Sequence, residues 1–102
     1  MLVYRGMSQN HKRFKEALLG KAPPRGGHAS AAEHNIGNTD SPYTSWTTNP
    51  KVADGYAGEK GAVLIVDLED FEGSWEMSPD VFREDEILIK GAVENATVTV
   101  TL

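Results

Sequence analysis

Tyr43-Thr44-Ser45-Trp46-Thr47-Thr48-Asn49-Pro50 carries the chain from one kind of secondary structure into another. Its first six residues are β-branched, aromatic or hydroxyl-bearing, the composition of a strand. Asn49 then offers a helix cap and Pro50 the first helical position, the strongest start signal a helix can have. Strand alternation puts Tyr43, Ser45 and Thr47 on one face and Thr44, Trp46 and Thr48 on the other. If Trp46 is buried as an anchor, the hydroxyls of Ser45 and Thr47 lie on the opposite side. A hydroxyl-bearing rim followed at once by a helix N-terminus is a corner that tolerates an anion.

Downstream, Val52, Ala53, Tyr56 and Ala57 give the new helix an apolar stripe, and Gly58 or Gly61 ends it. Residues 62–68 form a nearly continuous apolar run, the central strand of the fold, with Asp67 marking where it leaves the core. Residues 69–82 have no period, and Pro79 forbids a regular helix there. This segment is expected to wrap a sheet edge and pin itself with Trp75. Arg83-Glu84-Asp85-Glu86-Ile87-Leu88-Ile89-Lys90-Gly91 follows as a strand with two carboxylates, Glu84 and Glu86, on one face at its mouth. Like charges held so close raise at least one pKa, a cost that suits a pair with a chemical task. At the end, Val98, Val100 and Leu102 alternate with threonines, the pattern of a strand with one buried face, which Ala92-Val93 could begin.

Upstream, residues 20–42 hold Pro23, Pro24, Gly26, Gly27, Gly37 and Pro42, leaving room for one short helical turn over 29–34. His28 and His34 fall in this segment without a spacing or a carboxylate pattern that would build a metal site, and none is expected. Residues 8–19 have helical spacing, with Phe14 and Leu18 at i and i+4 and Gly20 as a stop. His11 lies on the charged side of that helix and has no assigned role. Met1-Leu2-Val3-Tyr4-Arg5-Gly6 reads as a first strand in which Arg5 shares a face with Val3, so its stem leaves the core edge while its guanidinium reaches a cleft. An arginine so placed suits a two-pronged grip on phosphate.

The 102 residues, read as a single domain over 1–102, give an α+β class with five or six strands and two or three helices. Fifteen acidic against ten basic residues leave a formal charge of −5, which disfavours a large nucleic-acid footprint. A local basic patch is compatible with it: Lys12, Arg13 and Lys15 cluster, and Arg5, Arg25 and Arg83 could converge. There is no cysteine, hence no disulfide or thiolate metal site, and no apolar run long enough to cross a bilayer.

Taken in order, Tyr4-Arg5-Gly6, the stretch 43–50 leading into Val52-Ala53-Asp54-Gly55-Tyr56-Ala57, and Glu84-Asp85-Glu86-Ile87-Leu88 resemble the arginine–serine–glutamate branch of the ADP-ribosyltransferases, in particular compact toxin domains of bacterial polymorphic and secreted toxins. The resemblance runs from residue 3 to about 90 and rests on the order of the motifs, each of which is short. It implies two small packed β-sheets flanked by helices, with an NAD crevice between them. It implies that Arg5, with Gly6, holds the dinucleotide phosphates and nicotinamide ribose, and that Ser45 fixes the nicotinamide side and positions Glu86. Glu86 matches the catalytic glutamate, and Glu84 the preceding glutamate of enzymes that modify a guanidinium. Thr47, Tyr56 and Trp46 are the further residues expected at the NAD site. Trp46 departs from the family's serine–threonine–serine: in the core it changes little, in the crevice it would stack on a substrate ring.

The implied activity is transfer of ADP-ribose from NAD, as substrate, to an arginine of a target protein. The alternatives are transfer to nucleic acid or water, or an inactive relative that acts as a binding module. The implied setting is a monomeric toxin module of a larger polypeptide, secreted or injected to act in a target-cell cytoplasm and stored beside an immunity protein. No membrane insertion is expected.

Overall fold

In the computed structural model, residues 1–28, 30–35, 41–79 and 85–102 are described. Glu84, with Val81, Phe82 and Arg83, lies outside them. The described elements are β1 (Leu2–Met7), α1 (Phe14–Leu18), α2 (Ala31–Asn35), β2 (Tyr43–Thr47), α3 (Pro50–Ala57), β3 (Ala62–Asp67), β4 (Ser74–Met77), β5 (Glu86–Lys90) and β6 (Thr97–Val100). The six strands form one antiparallel sheet in the order β4-β5-β2-β1-β3-β6.

The expected pair of sheets is therefore corrected to a single sheet, and the reason lies at its centre. β1 pairs with β3 at six positions and β2 with β5 at five, but β1 meets β2 only at Tyr4 opposite Thr47. One residue farther along β1, Arg5 Nη1 donates to the Ser45 carbonyl at 2.8 Å, so a side chain takes the acceptor. The two three-stranded halves are stitched at one point and part beyond it.

Each face of the sheet has its own apolar cluster. Val3, Met7, Trp46, Leu64, Ile87 and Ile89 lie in the larger one, closed by Ala17 of α1 and half-buried Phe14. On the other face Ala53 and Ala57 of α3 pack on Val63, with Tyr4 and Ile65 beside them. The helix α3 starts as the Asn49-Pro50 signal dictates, with Asn49 Oδ1 accepting from the Lys51 N–H at 3.0 Å. It lies so close to β1 that a Cβ on Gly6 would overlap the Ala53 carbonyl oxygen.

Several expectations change. The helix over 8–19 shrinks to Phe14–Leu18, because Ser8 Oγ accepts from the Asn10 N–H and His11 Nδ1 from the Arg13 N–H, side-chain bonds that compete with helix. Trp75 pins nothing: it is 41% exposed on β4, itself the sheet edge, and Phe71 packs against the core instead. In β6 only Val98 is half-buried, while Val100 and Leu102 are exposed, because this strand too is an edge. Val93 belongs not to β6 but to an isolated bridge with Ala22. Of the α3 stripe, Ala53 and Ala57 are buried but Val52 and Tyr56 are exposed.

Gly6→Ala is expected to destabilise the fold by about 3 kcal/mol, the cost of forcing α3 off β1. Urea unfolding of the two proteins measures it, and equal midpoints would contradict the packing described.

Candidate active site

A cavity of about 760 Å³ opens where β1 and β2 part, bordered by Arg5 and Gly6 from β1, Ser45 and Thr47 from β2, Tyr56 from α3 and Glu86 from the start of β5. That volume is within the range of small-molecule and cofactor pockets. Three residues some forty positions apart in sequence, Arg5, Ser45 and Glu86, are thus brought to one hollow. The strand register explains it: Glu86 pairs with Thr47, the same residue that meets Tyr4, so the first residue of β5 arrives beside the stitch. The backbone there is held by the Thr48 N–H donating to the Asp85 carbonyl at 2.9 Å. Asp85 itself is exposed and outside the cavity lining.

Arg5 sits between this cavity and a second, smaller one of about 220 Å³, bordered by Lys12, Arg13, Arg25, His34, Tyr43 and Ser45 among others. Burial pushes the Arg5 guanidinium below its ordinary pKa, and its Nε is buried without a hydrogen-bond partner among the described residues. The guanidinium stays charged at neutral pH, so the site holds a desolvated cation with donors to spare. Four of the ten basic residues of an otherwise acidic chain meet here, and among the described residues no carboxylate borders the smaller cavity. The expected approach of Arg5 to Arg25 is found; Arg83 lies outside the described residues. His11 registers the resulting field: burial first, then Arg5, Lys12, Arg13 and Arg25 hold its pKa below the ordinary histidine value. Tyr43 is pushed up by burial and then by Glu76, which keeps its phenol protonated.

Trp46 borders the larger cavity, but its side chain is 2% exposed, sits in the core and donates Nε1–H to Thr44 Oγ1 at 2.8 Å. Of the two places open to Trp46, core or crevice, its ring takes the core, on the face opposite Ser45, while the residue still borders the cavity. Tyr56, 74% exposed at the cavity rim, is the accessible aromatic there. Val52 and Tyr56 escape burial because their side of α3 faces the opening rather than the sheet.

His34 was weighed only as a metal ligand, and it has a different place. Its Nε2 lies 2.9 Å from Ser45 Oγ and its Nδ1 2.6 Å from Ser41 Oγ, with its ring edge-on to Tyr43. The helix that carries it is started by a reciprocal cap: the Glu33 N–H donates to Ser30 Oγ, and the Ser30 N–H to Glu33 Oε1. The Ser-x-x-Glu spacing of that cap is legible in the sequence and fixes where α2 begins. Among the described residues no group of histidines and carboxylates could hold a metal ion, and no helix is long and apolar enough to cross a membrane.

No protein-family model, no curated protein and no solved structure matches this chain.

The field at the smaller cavity makes a direct prediction. In a low-salt NMR titration His11 gains its proton at lower pH than a free histidine, because the neighbouring cations and burial disfavour the charged ring. Added salt, which screens the cations, moves the midpoint up, and added pyrophosphate moves it further at equal ionic strength. A midpoint at the ordinary value that neither addition moves would contradict the cationic cavity.

Proposed function

We propose that this chain is a mono-ADP-ribosyltransferase that uses NAD as substrate and transfers ADP-ribose to an arginine of a target protein. One observation carries the reading: Arg5, Ser45 and Glu86, each at the place the family resemblance requires, border one cavity of about 760 Å³. An inactive binding module is expected to leave these three residues scattered, and their common cavity favours catalysis over it.

Arg5 donates to the dinucleotide diphosphate, which replaces the water that burial has stripped from the guanidinium. The other cations of the smaller cavity add to the same attraction for phosphate. Thr47 and Tyr56 border the space in which the nucleoside lies. The bond between the ribose anomeric carbon and the nicotinamide nitrogen breaks, and its electron pair leaves with the now neutral nicotinamide. Positive charge develops on the anomeric carbon and ring oxygen. The Glu86 carboxylate is worth most at that moment, because it is fixed beside a charge that the ground state lacks.

An arginine nitrogen of the acceptor then bonds to the anomeric carbon and sheds a proton. Glu84, outside the described residues, orients that guanidinium and accepts the proton. With water in the acceptor's place the products are ADP-ribose and nicotinamide. The toxin module, its fusion to a larger polypeptide, delivery into a target-cell cytoplasm and an immunity protein that plugs the crevice belong to the same proposal.

A nucleic-acid acceptor is the second reading, favoured by the four basic residues, Arg5, Lys12, Arg13 and Arg25, that border the smaller cavity. Incubation with labelled NAD and a cell lysate separates the two: protease-sensitive, nuclease-resistant label supports the arginine acceptor, and the reverse supports nucleic acid.

Glu86→Gln is expected to lower NAD consumption by a factor on the order of a thousand without loss of fold, the scale of removing a preorganised electrostatic partner. A mutant as active as the wild type would sink the mechanism. Glu84→Gln is expected to lose transfer to arginine while retaining some NAD cleavage, measured as nicotinamide release beside labelled protein. Equal transfer by the two proteins would remove Glu84 from acceptor chemistry.

A further inference from the structure

Ser41 is 0% exposed, and its hydroxyl has two partners among the described residues. Its Oγ accepts from the Tyr43 N–H at 3.2 Å and lies 2.6 Å from His34 Nδ1. A hydroxyl carries one proton, and a buried donor left without an acceptor is costly. Among the described residues the only acceptor within reach of the Ser41 proton is His34 Nδ1. Ser41 must therefore donate to that nitrogen, which leaves the neutral His34 ring protonated at Nε2. The Nε2–H in turn points at Ser45 Oγ, 2.9 Å away. Ser45 Oγ is then an acceptor toward His34, and its own proton is directed elsewhere.

We propose that His34 is a positioning residue which, held in the Nε2–H form by Ser41, donates to Ser45 Oγ and turns the Ser45 hydroxyl proton into the larger cavity as a donor to an oxygen of the bound substrate. The assignment of that oxygen to NAD rests on the function proposed above; the direction of the hydrogen-bond chain does not. The opposite tautomer would make Ser45 donate to His34 and present only lone pairs to the cavity. Such a site would repel the same oxygen. A buried serine seven residues from His34 thus decides the polarity of a hydroxyl eleven residues from it.

Every part of the chain is fixed independently. Ser45 also has its carbonyl held by Arg5, so its backbone cannot swing away from the ring. His34 is held by the capped α2 and by its edge contact with Tyr43, whose centroid lies 6.3 Å away. The network has the form of a donor relay, Ser41 to His34 to Ser45 to ligand, and no proton needs to move along it for Ser45 to serve.

The first test reads the free protein and is independent of any activity. Long-range proton–nitrogen NMR of histidine-labelled protein, at a pH where the ring is neutral, is expected to show His34 protonated at Nε2. Ser41→Ala should remove that preference and yield a tautomer mixture. Protonation at Nδ1 in the wild type, or no change in Ser41→Ala, overturns the proposal. The second test reads nicotinamide release. His34→Leu, which lacks a donor, is expected to lower kcat about tenfold or more with KM little changed, and His34→Gln, whose amide reaches the Nε2 position, to recover part of it. Wild-type kcat in both variants overturns the positioning role. An inactive wild type with the Nε2–H tautomer in place overturns the NAD reading alone.

Discussion

The bond from Arg5 Nη1 to the Ser45 carbonyl is the interaction on which the arrangement of the molecule turns. It stands where a continuous sheet would have placed backbone pairing between β1 and β2. Main-chain pairing holds strands about 5 Å apart along their length, whereas an arginine side chain bridges them across a gap. The single pairing of Tyr4 with Thr47 joins the two halves into one sheet, and the arginine bridge beside it spans the hollow that a fully paired sheet could not contain. The same guanidinium is buried, which depresses its pKa, and its Nε has no partner among the described residues.

Ser45 is the second consequence. It is held at its carbonyl by Arg5 from β1 and at its hydroxyl by His34 from α2, so three segments of chain define one side chain. Catalytic geometry needs such over-determination, because a rotamer free to wander loses the benefit of preorganisation. Glu86 reaches the same hollow from a different direction, through the register of β5 on β2. Under the proposed reaction, a cation for the diphosphate, a hydroxyl donor and a carboxylate for the developing positive charge stand on three adjacent strands.

Those parts of the molecule whose cause is local were legible in the sequence. The Asn49-Pro50 start of α3, the strand that carries Ser45 and the buried run of β3 follow from neighbouring residues alone. Arg5, Ser45 and Glu86 could be named only through the resemblance of the motifs that carry them, since strand period places them on faces without giving them a task, and only the coordinates bring them to one cavity. His34 and Ser41 could not be assigned roles, since their contacts depend on where α2 and Ser41 lie against β2, and no period records that. The capping pair Ser30 and Glu33 was a readable local signal that marks α2 but not what His34 touches. Trp75, Val100 and Leu102 were misjudged for another reason: alternation identifies a strand without saying whether it is central or at an edge. The shortened α1 shows side-chain bonds from Ser8 and His11 prevailing over helical spacing.

The central claim is that the hollow between β1 and β2 binds NAD with its reacting end at Glu86. A crystal structure of the Glu86→Gln protein soaked with NAD tests it most directly, since that variant should bind the dinucleotide without consuming it. The account predicts the diphosphate on Arg5, the nicotinamide ribose within hydrogen-bond distance of residue 86, and Ser45 Oγ donating to a ligand oxygen. NAD bound elsewhere on the protein, or an empty cavity at saturating NAD, would contradict it.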